Sequence, residues 1–398
     1  MKKYTESLYK SPGSAFIRAQ KSPADPSAAA QGARRTFFLS YAPMLWYTQA
    51  EKELILLDAI PYPIRIRLGE AVPSCGQFAV MRGIPQFDRP EVSPLPKVRA
   101  TKKVEVRAAV FNVEHGCRMP EILAFLRECP GIADADILFG NELDDGTERS
   151  GNIDASRAIA DALGFAYAYA LEFIELVNPN DQKGYEGNTL FSRWPITRAE
   201  ALYVPEGYNW YYDEQKRIGG RVALFCELDV MGKRLGAVCV HLENRTTPAL
   251  RAAQTAAILE KANAMFGDLP VLIGGDFNTN AFDYSPAAAL RAYERQTRDG
   301  TIVDPTASEP LFPCAAEHGF DWRSCNGSGV PTRRRPTGSG VLNLHLDWIF
   351  SKNITCARHG AISTLLSDCD WAGPASPLRQ TPIRELSDHN VVWADFRL

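Results

Sequence analysis

The chain has 398 residues, enough for one large domain or one domain with an extension. With 45% hydrophobic and 23% charged residues it can bury a substantial core, which excludes wholesale disorder. Its 44 basic and 47 acidic residues give a net charge of −3, which excludes a histone-like binder of nucleic acid but leaves room for a local basic groove. Nine cysteines form no CxxC pair, so neither a disulfide framework nor a zinc site is indicated and a reducing compartment is expected.

The first twenty residues begin basic but carry no apolar run, so no secretory signal is read there and a cytoplasmic protein is expected. No run reaches the roughly 18 apolar residues of a membrane span. The sequons at Asn244, Asn326 and Asn353 are therefore read as chance. Residues 11–35, rich in Ser, Pro, Ala and Gln, read as a mobile arm. The stretch Gln86–Lys97, with Pro90, Pro94 and Pro96, reads as a linker or an extended wrap. Residues 1–99 are thus assigned to an N-terminal extension and 100–398 to the main domain.

In chain order, the alternation of Val104, Val106, Ala108 and Val110 predicts a strand over 104–112. Ile122, Phe125, Leu126 and Cys129 fall at helical spacing after Pro120. Ile137–Gly140 reads as a short buried strand, and 155–163 as a helix closed by Gly164. Strands are predicted at 165–176, 188–193, 221–230 and 235–241. A helix starts near Pro248 with Thr247 as its cap. Further strands are predicted at 271–275, 346–350 and 391–397. Many strands with few, separated helices suggest stacked sheets with helices outside.

Polar residues recur where these strands end. Asn112 ends the first strand, and Glu142 follows the 137–140 strand. His241 ends another, and Asp276 and Asn278 follow Val271–Ile273 and two glycines. Asp388 and His389 precede the last strand, while Asp347 lies inside an apolar one. Carboxylates, amides and histidines gathered this way suit a hard-cation site with acid–base groups beside it. Singly, each Asn, Asp or His also has a plain reading, as a turn former or a hydrogen-bonded side chain. For the buried Asp347 the plain reading is a structural salt bridge.

The order of the motifs is more specific. Phe111-Asn112-Val113-Glu114, Asn141-Glu142, Gly187-Asn188-Thr189-Leu190-Phe191-Ser192-Arg193, His241-Leu242, Gly275-Asp276-Phe277-Asn278, Leu346-Asp347-Trp348-Ile349-Phe350 and Ser387-Asp388-His389 follow one another over about residues 104–398. This series resembles the endonuclease/exonuclease/phosphatase superfamily, and residues 142–152 resemble a bacterial subgroup of undefined substrate. The resemblance implies a deoxyribonuclease-like four-layer α-β-β-α sandwich of two mostly antiparallel sheets. It implies a magnesium ion, with manganese as an alternative, held by Glu142, Asp388 and Asn112. It implies that Asp276 activates the attacking water, that Asn278 fixes water or phosphate, and that His389 contacts phosphate with Asp347 behind it. His241 would be a second phosphate-facing histidine, and Asn112 and Asn188 would face substrate. Arg149 would either reach a substrate phosphate or pair with Asp144 or Asp145. Glu186 stands where histidine is found in similar proteins.

Two aromatic-basic loops have double readings. Trp210-Tyr211-Tyr212 with Lys216 and Arg217 would line a cleft or cap the sandwich. Arg333-Arg334-Arg335, after Phe320-Asp321-Trp322, would form a phosphate and base-stacking platform or a solvated charge run. The expected function is hydrolysis of a phosphoester, foremost a nuclease-like phosphodiester cleavage of DNA or RNA. Alternatives are a sphingomyelinase-like lipid phosphodiesterase, a phosphatase of a small molecule or phosphoinositide, or a non-catalytic binding protein. No obligate protein partner is read.

Overall fold

The computed structural model describes residues 58–94, 105–279, 287–297, 302, 304–337 and 340–398. The proposed arm at 11–35 and the apolar stretch Phe37–Tyr47 lie outside them, as do residues 95–97 of the Pro-rich stretch. In chain order the strands are β1 Glu91–Val92, β2 Glu105–His115, β3 Ile137–Asp145, β4 Ala166–Glu175, β5 Tyr185–Ser192, β6 Ile196–Tyr203, β7 Arg217–Gly219, β8 Val222–Val230, β9 Lys233–His241, β10 Val271–Asp276, β11 Arg333–Thr337, β12 Gly340–Leu344, β13 Asp347–Lys352, β14 Thr355–Ile362 and β15 Val391–Arg397.

These strands build two main sheets. The first runs β1-β4-β5-β3-β2-β15-β14, with β7 pairing β4; the second runs β13-β10-β9-β8-β6. Only β2/β3 and β9/β10 are parallel, and the other pairings are antiparallel. β11 and β12 form a separate hairpin.

The four layers follow from where alternate side chains point. Val106, Ala108, Val110 and Phe139 of the first sheet meet Leu224, Cys226, Leu272 and Ile349 of the second in a shared core. The opposite face of the first sheet, with Phe111 and Leu138, is covered by the helices Met119–Glu128 and Ala155–Leu163. That of the second, with Val238, Ile273 and Phe350, is covered by Pro248–Phe266 and Leu311–Glu317. Local chemistry sets the helix ends. Thr247 accepts a hydrogen bond from the Leu250 N–H, Pro248 occupies the first turn, and Gly164 closes Ala155–Leu163 at φ +67°.

Residues 60–92 are integral to the first core. Ile64, Leu68, Val72, Val80, Ile84 and Phe87 are buried there with Ile174, Leu176, Tyr185 and Ile218. Arg65, with no exposed surface, donates from Nη2 to the Asp181 carbonyl at 2.7 Å and from Nη1 to that of Glu175 at 3.3 Å. Within the Pro-rich stretch, Pro85–Asp88 is a helical turn and β1 adds two residues to the sheet edge. Among the described residues, no helix is long and apolar enough to cross a membrane.

Candidate active site

Strand pairing gathers the polar residues at one edge of the sandwich. β9 and β10 run parallel and end together, so His241 lies beside Asp276. β13 runs antiparallel to β10 and begins where β10 ends, placing Asp347 beside Asp276 on the other side. His241, Asp276 and Asp347 thus form one row across three strands. On the first sheet Asn112 pairs with Asn141 across β2/β3, and Glu142 follows. β15 starts at the same end, and the Ser387 hydroxyl just before it donates to the Asn112 carbonyl at 2.7 Å.

The backbone is bent here. The pairing slips between Asn112 and His115 and between Gly140 and Leu143, while Glu114, His115, Glu142 and Asn278 have φ from +48° to +64°. Non-glycine residues with φ of this sign cost on the order of 1 kcal/mol each and collect where a side chain must be re-aimed. Two glycines bring the layers close. A Cβ on Gly275 (φ +151°) would lie 1.8 Å from the Val240 carbonyl oxygen, and one on Gly274 would lie 2.4 Å from the Phe139 ring.

Two imidazoles converge on one carboxylate oxygen. His389 is buried, with Nδ1 2.8 Å from Asp347 Oδ2 and Nε2 3.7 Å from Asp276 Oδ2. His241 is also buried, with Nδ1 3.2 Å from Glu172 Oε2 and Nε2 3.7 Å from the same Asp276 oxygen. The Asn112 amide links this group to the first sheet, lying 3.0 Å from Glu142 Oε1 and 3.3 Å from Asp276 Oδ2. Asp276 Oδ1 accepts the Asn278 backbone N–H at 2.8 Å, and the Asp276 N–H donates to Asn141 at 3.0 Å.

The charges follow from these contacts. Burial works against a charged His389, but Asp347 and Asp388 overcome it and push its pKa up to about 10. For His241, burial and Arg221 also lower the pKa, yet Glu172 turns the shift upward. Burial raises Asp276, against the pull of His389. Burial would raise Glu142 as well, but His115, His241 and the Asn112 amide carry it below the usual carboxylate range.

Three sequence expectations meet different surroundings. Arg149 forks onto Asp144 at 2.7 and 2.8 Å and reaches Glu186 at 2.8 Å and Glu175 at 3.1 Å; the structure realises the pairing alternative rather than a phosphate contact. Asn188 is fully buried, accepting from Asn141 at 2.8 Å and donating to the Val222 carbonyl, so it braces the strands and does not face a cleft. Asn278 spends its amide on the Leu242 carbonyl at 2.9 Å, so its tie to the site runs through its backbone N–H on Asp276. Trp210 is buried, stacked by Arg217 and Arg245 at 4.2 and 4.7 Å, in keeping with a cap.

Glu172, Arg221 and His115 were passed over by sequence reasoning, while Arg333 was read there only as part of the arginine run. Glu172 backs His241, and Arg221 Nη1 donates to Glu172 at 2.7 Å while lying 2.9 Å from His241 Nδ1. His115 Nε2 lies 3.6 Å from Glu142. Arg333 donates from Nε and Nη2 to Asp388 Oδ2 at 3.1 and 3.0 Å. Glu172 carried the same signal as Asp347, an acid inside an apolar strand.

Two groups have ligand atoms close enough to share a cation: Asp276 with Asp347 and His389, and His115 with Asp144 and Glu186. In the first, Asp347 is already bound to His389; in the second, Arg149 covers both carboxylates. Glu142 and Asp388 keep 23% and 24% of their side-chain surface exposed, although Arg333 also holds one Asp388 oxygen. Carboxylates and an amide carbonyl are hard oxygen donors, the type that suits a magnesium-like ion needing one or two carboxylates.

The Endonuclease/Exonuclease/phosphatase family matches residues 109–389. The uncharacterized protein YbhP of Escherichia coli K12 is 28% identical over 218 residues, 54% of this chain; the match spans 64% of that relative's own length. An endonuclease/exonuclease/phosphatase from Beutenbergia cavernae is 18% identical, with a TM-score of 0.49 over 74% of this chain and 72% of the other. The human Nocturnin catalytic domain with bound sulfate is 15% identical, with a TM-score of 0.47 over 78% and 98%. The family match spans the strands that carry Asn112, Glu142, His241, Asp276, Asp347 and His389, and the chain belongs to the endonuclease/exonuclease/phosphatase family.

Proposed function

We propose that this edge is the active site of a divalent-metal-dependent phosphodiester hydrolase, nuclease-like, that directs water in line at phosphorus without a covalent intermediate. One observation carries the reading: Asp276 Oδ2 lies 3.7 Å from Nε2 of both His389 and His241, each imidazole backed by its own carboxylate. Asp276, its pKa raised by burial, thus lies between two imidazoles whose pKa values their carboxylates also raise.

Glu142, with Asn112 beside it, and Asp388 would hold magnesium or manganese, which supplies charge neutralisation at the phosphoryl oxygens when bound. Asp276 accepts the proton of the attacking water, its carboxylate fixed by the Asn278 N–H. His389 donates Nε2–H to a phosphoryl oxygen as negative charge grows there, and Asp347 keeps the ring charged and aimed. His241, held by Glu172, supplies a second such donor. Asn112 keeps Glu142 and Asp276 in register across the two sheets.

Nucleic acid is the first substrate class to test. A labelled single- or double-stranded oligonucleotide in magnesium should be cut by the wild type and spared by Glu142→Gln. Binding should weaken steeply with added salt, as backbone recognition requires. Sphingomyelin vesicles or a phosphomonoester hydrolysed in place of the oligonucleotide would reassign the substrate class. The reducing compartment and cytoplasmic location remain part of this proposal.

A further inference from the structure

The triple arginine run separates into two functions along one strand. On β11, Arg334 turns inward. It is buried, and its guanidinium donates to Glu385 at 2.8 Å, to Thr364 Oγ1 at 2.7 Å and to the Ser387 carbonyl at 2.6 Å. Its backbone N–H donates to the Asp388 carbonyl at 2.8 Å, and the Asn390 N–H donates to the Thr332 carbonyl at 2.7 Å. The β11–β12 hairpin is therefore pinned edge-on against residues 388–390, and Arg333 makes a backbone bridge to His389.

Strand alternation then sends Arg333 to the opposite side from Arg334, toward the cleft. Nε and Nη2 both rest on Asp388 Oδ2. The remaining nitrogen, Nη1, has no hydrogen-bond partner among the described residues, and the side chain keeps 23% of its surface exposed.

We propose that Arg333 is the phosphoryl-binding arginine of this site, aimed by Asp388 so that Nη1 meets a phosphoryl oxygen of the substrate. The inference rests on the reading of the edge as a phosphoester hydrolase. It gives Asp388 a task apart from metal: holding a guanidinium in one orientation. A guanidinium offers two parallel N–H groups to a phosphoryl oxygen pair, which an ammonium in the same place does not.

The test combines a binding and a turnover readout. Inorganic phosphate is titrated into the full chain in magnesium by calorimetry, for wild type, Arg333→Gln and Arg333→Lys. Phosphate affinity should fall about 10- to 100-fold in Arg333→Gln, the loss of a charge-assisted hydrogen bond, and recover only partly in Arg333→Lys. For turnover of bis-p-nitrophenyl phosphate, Arg333→Ala should be slowed and then partly restored by millimolar guanidinium ion. Phosphate affinity unchanged in Arg333→Gln, or no guanidinium rescue of a folded Arg333→Ala that is slow, would overturn the assignment. Should the wild type hydrolyse no phosphoester, the hydrolase reading fails on its own, and the phosphate titration still decides whether Arg333 binds a phosphoryl group. Should Arg333→Gln not fold, the Arg333→Lys titration decides, since that variant keeps a charge beside Asp388; wild-type affinity there would count against the inference.

Discussion

Asp347 and Glu172 are carboxylates buried among apolar neighbours, and each meets a histidine. Desolvating such an acid costs several kcal/mol unless a cation answers it, so each acid calls for its imidazole. Asp347→Asn should leave His389 without its counter-charge and lower kcat about 100- to 10,000-fold, with a smaller change in KM. Steady-state kinetics beside a thermal melt would check this, and near-wild-type turnover would remove Asp347 from the account. Asp347 was legible in the sequence because an acid interrupts Leu346-Trp348-Ile349-Phe350. Glu172 interrupts an equally apolar run but had no motif around it. Asn188 was legible as a position but not as a role, because its partner Asn141 comes from another strand; for Arg149 the pairing with Asp144 was one of two readings, while its partner Glu186, on another strand, was not foreseen.

His345 gives a pH signature at the same scale. Its ring stacks on Trp348 at 3.8 Å, and burial holds its pKa down at about 4. A folded pKa below the unfolded value of about 6.5 means that the unfolded chain binds the proton more readily. This contribution to stability is fully present above about pH 6.5 and is lost as pH falls toward 4, by about 2 kcal/mol at pH 5. Urea unfolding at pH 7.5 and pH 5 should show the wild type losing that much relative to His345→Gln. An unchanged difference between the two proteins would contradict the assignment.

At the scale of elements, the site exists because parallel pairs place strand ends side by side. Among the described residues β9/β10 and β2/β3 are the two parallel pairs, and Asn112, Glu142, His241 and Asp276 hang from them. Gly275 is where β10 can least accept a side chain, since a Cβ would meet the Val240 carbonyl. Gly275→Ala should destabilise the fold by about 3 kcal/mol or more, through backbone strain next to Asp276. A melt within a degree of wild type would show that the layers have slack. Strands with a buried face were legible: β8, β9, β10 and β15 fall within two residues of expectation. β6 and β14 were not, because none of their residues is fully buried and an edge strand shows no apolar run. The β11–β12 hairpin, which carries Arg333, was invisible for a similar reason: three arginines and a proline read as a charged loop.

At the scale of the whole molecule, residues 60–92 are packed into the first core of the sandwich. Phe87 packs edge-on against Tyr203 with ring centroids 5.6 Å apart, and Arg65 fills a space that a side chain on Gly184 would enter. Phe87→Ala should cost about 3–5 kcal/mol in urea unfolding. A chain beginning at residue 99 should be poorly folded for the same reason; a stable, active truncation would show the segment to be an accessory. Sequence placed this region in an extension because its apolar residues are scattered among Pro and Gly, and its helices are only 4 to 9 residues long. The fold class was legible from Val104 onward because motif order and buried strands agreed there. The central claim is that the Asp276 edge hydrolyses phosphodiesters with a divalent cation. The most direct measurement is the initial rate on bis-p-nitrophenyl phosphate in magnesium, manganese or EDTA, for wild type and Asp276→Ala. The account predicts turnover that EDTA abolishes and that Asp276→Ala lowers by orders of magnitude while remaining folded. Turnover in EDTA, or undiminished in Asp276→Ala, would contradict it.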